Sequence, residues 1–232
     1  MSGSDRAPRT AGVVCEGPTE FIILERVVRA LWPEVDQVLP LQPQLDATRR
    51  AVGASGFSGV RKWCQESSGT LADVIDAGIG PPLDLLVIAL DVDAAIQVKI
   101  EDPPASPSSY DAGRLCRMVR DWLAGAARGR LPAELVIALP AMEIEAWAVA
   151  ALLKKPARPE TIEKPFEWLV KEGKLSLDEA RRGKVRKSPR TYDHFAAEIA
   201  ARLPEVRRRC PEADRACRKI EQRRNSVLAL GP

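Results

Sequence analysis

Apolar residues along the chain fall into short unbroken runs near the front and helical stripes behind them. Thr10-Ala-Gly-Val-Val-Cys-Glu16 is β-branched and apolar, then stops at an acid and a glycine. From Phe21 to Leu31 apolar positions recur at helical spacing, ending at Trp32-Pro33. The pattern predicts strand, tight turn, helix. Val35 to Leu41 predicts a second strand. Pro40 and Pro43 assign it to a sheet edge, because proline cannot donate to a central ladder.

A Gly/Ser loop is expected over Gly53–Gly59, then a helical pattern from Val60 to Ala77 interrupted at Ser67-Ser68-Gly69. Leu83-Asp-Leu-Leu-Val-Ile-Ala-Leu90 is the cleanest buried strand, ending in Asp91-Val-Asp93. Residues 102–109, rich in Pro and Ser, read as loop. A helix is expected from Asp111 to Ala127 and a strand over Glu134–Leu139, closed by Pro140. Beyond Glu143 the pattern is helical, over 143–153, 163–172, 176–182, 191–203 and 211–225. Almost wholly apolar strands alternating with helices predict an α/β fold with a parallel sheet covered on both faces. The expected organisation is a disordered polar lead over 1–9, an α/β domain over 10–150 and a helical extension over 151–232.

Composition adds charge asymmetry to this outline. From Lys154 onward 21 Lys and Arg face 12 Asp and Glu, whereas the preceding part has 14 against 20, so a net charge of +3 hides an acidic front and a basic back. That distribution suits an acidic metal site beside a surface for a polyanion, although a solvated helical face has the same composition. No apolar stretch approaches a membrane span, and no apolar segment follows the polar N-terminus as in a secretory signal. The five scattered cysteines lack metal-binding spacing and read as reduced structural thiols, which points to a cytoplasmic protein.

The chemistry is expected outside the carboxyl ends of the strands. The acids there are Glu16, then Asp91 and Asp93, then Glu143 and Glu145. Asp91 and Asp93 are two apart, so their side chains point the same way on an extended chain, and adjacent carboxylates call for a cation such as Mg2+ or Mn2+. Glu16 and Glu20 face one edge if the helix begins by Gly17. Lys184, Arg186, Lys187 and Arg190 form a basic loop suited equally to phosphate contact or to solvent. The Gly53–Gly59 loop lacks the P-loop pattern, His194 has no Ser or Cys partner nearby, and Trp147 and Trp168 read as core anchors.

At these residues the sequence meets a known family. Val13-Val-Cys-Glu16-Gly17-Pro18-Thr19-Glu20 resembles the E-G-x-T-E opening of TOPRIM domains, especially those of OLD-type nucleases and their stand-alone relatives. Leu86 to Asp93 looks like the matching D-x-D strand. Pro140-Ala-Met-Glu143-Ile-Glu145-Ala-Trp147 is similar to the E-I-E-A-W segment of the TOPRIM-like group designated domain of unknown function 4276. The resemblance covers residues 10–150 and extends loosely through Lys187-Ser-Pro-Arg-Thr-Tyr192. It implies that Glu16 is a metal ligand or general acid/base, that Asp91 and Asp93 bind divalent metal, that Glu20 joins them, and that Glu145 completes or orients the site. Ala94 and Ala95 stand where many such sequences carry a glycine, which unsettles the geometry of a second metal.

Together these readings give a Mg2+- or Mn2+-dependent nuclease acting on DNA or RNA, with an anti-phage effector as its setting. With no nucleotide-binding motif in the chain, any coupled ATPase is a separate subunit; self-association into a homo-oligomer is left open. The rival is a non-catalytic TOPRIM-shaped module that docks on a partner ATPase. Primase or topoisomerase chemistry is disfavoured, because no zinc module or tyrosine nucleophile domain accompanies the acids.

Overall fold

The computed structural model describes residues 8–76, 81–92, 112–124, 131–174 and 187–230. Its elements in chain order are β1 (Thr10–Val14), α1 (Pro18–Leu31), β2 (Gln37–Gln42), β3 (Gln44–Leu45), β4 (Ala51–Val52), α2 (Gly56–Glu66), α3 (Leu71–Ile75), β5 (Leu85–Ala89), α4 (Ala112–Ala124), β6 (Leu135–Ala138), α5 (Glu145–Leu152), a 3-10 turn (Pro159–Thr161), α6 (Pro165–Lys171), α7 (Pro189–Ala201), α8 (Leu203–Arg209) and α9 (Pro211–Ala229).

The three apolar runs and the proline-bearing strand pair as one parallel sheet in the order β2-β1-β5-β6, so Pro40 lies on an edge strand. Side chains alternate across it, as the two-residue period of a strand requires. Ala11, Val13, Leu85, Val87, Ala89, Val136 and Ala138 face a core shared with α1 and with α5 through α9. Val14, Leu86, Ile88, Leu90 and Ile137 face a second core against α2, α3 and α4. Burying each Val, Leu or Ile contributes roughly 1.5–3 kcal/mol. That accounts for central strands with no polar face. The described residues beyond 151 are therefore a structural layer of the sheet, and α1 packs more extensively on α7 than on any other described element.

Several boundaries differ from the sequence reading. The Gly/Ser loop is shorter than expected, because α2 begins at Gly56, whose φ of +70° suits glycine. Helix α7 ends at Ala201 and a separate α8 starts at Leu203-Pro204, because proline is favoured in a first turn but breaks a helix interior. Residues 102–109 and 176–182, and the ends of the helix expected over 111–127, lie outside the described residues. The five cysteines are free, Trp147 is buried, Trp168 is half-buried against the core, and His194 is exposed. Among the described residues no helix is long and apolar enough to cross a membrane.

Candidate active site at the carboxyl edge of the sheet

Parallel pairing brings the carboxyl ends of β1, β5 and β6 to one edge, and hydrogen bonds tie those ends together. Glu16, just past β1, accepts the Asp91 backbone N–H at 3.0 Å through Oε1, which locks the exit of β1 to the exit of β5. Gly56 N–H donates to the Glu16 carbonyl at 2.7 Å, placing the Gly/Ser segment beside the same residue.

Glu20 occupies the third position of α1, whose N-cap Gly17 has no side chain to offer. Its Oε2 accepts the N–H of Glu16, the residue before the N-cap, at 2.6 Å, so the carboxylate braces the end of the strand against the start of the helix. Glu20 is only 4% exposed, and its Oε1 has no partner. Burial first, and then the charge of Glu16, hold its pKa well above the usual carboxylate range, with Glu145 adding to the effect. Cys15 sits in the same field. Burial, then Glu20, push its thiol far from ionisation, and Asp91 and Glu16 add to them.

Glu145 opens α5 and is 1% exposed. Its Oε1 accepts the Tyr192 hydroxyl and lies 2.7 Å from Lys187 Nζ, whereas its Oε2 is buried without a partner. Lys187 Nζ also lies 3.5 Å from Glu143 Oε2. Burial works against the Lys187 charge, but Glu145, then Glu143 and Asp91, overcome it and raise its pKa. Burial and Glu145 raise that of Tyr192.

The structure thus gathers Glu16, Glu20, Asp91, Glu143 and Glu145 with Lys187 and Tyr192. Asp93, Lys184 and Arg186 lie outside the described residues. Lys187, expected in a phosphate-binding loop, is engaged with the acids, and Arg190 is exposed on the first turn of α7. Tyr192 was not expected in the site. Its signals were its place at the end of the Lys187–Tyr192 segment, to which the family resemblance extends loosely, and its position across the Ser188-Pro189 helix start.

Among the described residues no group of three or more His, Cys, Asp or Glu side chains is arranged to hold a metal ion, and the expected pair of Asp91 and Asp93 is described only in its first member. The donor chemistry nevertheless fits a hard divalent cation. The acids offer only oxygen, and two fully buried carboxylate oxygens, on Glu20 and Glu145, have no partner. Compared with known proteins, the chain matches no family model, no curated protein and no solved structure.

Proposed function

We propose that the protein is a Mg2+- or Mn2+-dependent hydrolase of phosphodiester bonds in DNA or RNA, built on a TOPRIM-type acidic edge. The observation that carries this reading is the pair of partnerless buried oxygens, Glu20 Oε1 and Glu145 Oε2, in a cluster of five carboxyl groups. Burying such groups without a cation is costly, and a buried acid with a raised pKa, Glu20, among other carboxyls at the carboxyl edge of a parallel sheet supports a functional site. Glu16 and Asp91, with Asp93 by its place in the sequence, would hold the ion, and Glu145, beside Glu143, would complete the site. When bound, the ion supplies Lewis-acid chemistry that activates water and offsets charge on the phosphate. The chain's own residues fix the acids. Glu20 braces Glu16, Glu16 braces Asp91, and Tyr192 orients Glu145.

The setting is an anti-phage effector whose ATPase, if one is coupled, is a separate subunit. One observation favours a docking module instead: Glu16 and Glu20 already satisfy backbone N–H groups, and Lys187 already pairs with Glu145, a network that can serve structure alone. Calorimetry with Mn2+, followed by assays on linear, supercoiled and transfer-RNA substrates with and without a partner ATPase, separates the readings. The enzyme reading expects metal-dependent cleavage that is abolished in folded Glu16→Ala and Asp91→Ala proteins. Absence of cleavage under all of these conditions favours the module.

A further inference from the structure

We propose that Lys187 is an internal counter-cation that holds the acidic edge in the absence of a divalent ion and competes with that ion for Glu143 and Glu145. The inference rests on the metal-binding reading above and deepens it by assigning the group that the ion must displace.

Four observations lead to it. Lys187 Nζ lies between two acids, 2.7 Å from Glu145 Oε1 and 3.5 Å from Glu143 Oε2, so the ammonium occupies the position of a bound cation. It does not saturate the cluster, because Glu20 Oε1 and Glu145 Oε2 remain buried without partners. A single-charge group with three donors leaves such oxygens bare, whereas a divalent oxygen-seeking ion takes six or more ligands. Lys187 also has a way out to solvent. Its side chain is 46% exposed and precedes α7, so its long stem can swing into water at the cost of the two ion pairs and of its place over the Phe166 ring at 5.7 Å. Finally, Glu145 stays tethered when the ammonium goes, because the Tyr192 hydroxyl donates to the same Oε1. Lysine and tyrosine thus divide two tasks on one oxygen: the tyrosine orients it and the lysine neutralises it.

The test is Mn2+ calorimetry on the full chain as wild type, Lys187→Met and Lys187→Arg. Removing a positive charge from beside carboxylates should tighten Mn2+ binding about tenfold or more, whereas Lys187→Arg, which keeps the charge, should bind no tighter than wild type. A second measurement needs no variant: acylation of lysines in the wild-type protein, read by mass spectrometry with EDTA and with Mn2+. Lys187 should label slowly in EDTA and severalfold faster once Mn2+ is bound. If wild type and Lys187→Met bind Mn2+ equally, or Lys187 labelling is unchanged while Mn2+ binds, the competition is overturned and the metal-binding reading survives. If only Lys187→Met binds Mn2+, Lys187 is the blocking cation and the wild-type chain is not a metal enzyme under those conditions. If neither binds, both readings fall.

Discussion

At the scale of single residues, the most informative group outside the acidic edge is Glu160. Buried beneath α9, it accepts N–H bonds from Glu212 at 3.1 Å and Ala213 at 3.3 Å, and from the Trp147 indole at 3.3 Å. It thereby satisfies the first turn of α9. Burial outweighs these donors and raises its pKa to about 7. A carboxyl whose folded pKa lies above its unfolded value holds its proton more tightly when folded, so its contribution to stability is complete below the unfolded pKa. That contribution is lost as pH rises from about 4.5 to about 7. Glu160→Gln keeps an acceptor for the helix and removes the charge. It should therefore gain on wild type between pH 5 and pH 8 by as much as about 3 kcal/mol in urea denaturation. An equal difference at the two pH values would show that Glu160 does not titrate in this window.

At the scale of elements, the basic excess of the C-terminal region takes on a structural meaning that charge counting could not supply. Arg209 is buried and donates to the carbonyls of Ala150, at 2.6 Å, and of Leu153 and Pro156, while Arg202 donates to Ala151 at 2.7 Å. These carbonyls end α5 and the chain just beyond it, so the two arginines act as its C-terminal cap. Arg224 does the same for Leu31 at the end of α1, at 2.7 Å, and Arg223 holds the Asp84 carbonyl at 2.7 Å and Glu134 at 2.8 Å. Helices α8 and α9 are thereby pinned to the body of the fold. Arg209→Met should cost roughly 2–4 kcal/mol, because it strands buried acceptors that a charged donor satisfied. Arg208→Ala loses only an exposed pair with Glu205 and should leave the urea midpoint close to that of wild type. Urea midpoints for both variants check the contrast, and equal losses would contradict the capping role.

At the scale of the whole molecule, the sheet was legible because its central strands are apolar on both faces, and the acids were legible because they end those strands. What lay hidden depends on contacts between distant segments. Lys187 and Tyr192 reach Glu145 across more than forty residues, through the packing of α7 on α1 and α5, and no local period encodes that meeting. The same packing recasts the last expectation, that basic residues guide nucleic acid to the acidic edge. Lys187 belongs to the acids, and Arg209, Arg223 and Arg224 are bonded to the body of the fold, so the residues left to carry that role from the expected basic loop are Lys184, Arg186 and Arg190. Reversing these three to Glu while retaining Lys187 leaves the ammonium paired with the acids in place. If each meets a phosphate, affinity for duplex DNA in EDTA should fall, and the slope of log affinity against log salt should flatten by about 2.7, because each neutralised phosphate releases roughly 0.9 counterion. Affinity for Mn2+, measured in parallel, separates a loss confined to the nucleic acid from one that runs through the acidic site. A triple variant with the wild-type affinity and salt slope would remove this loop from the nucleic-acid surface and leave its charges to water or to an acidic protein partner.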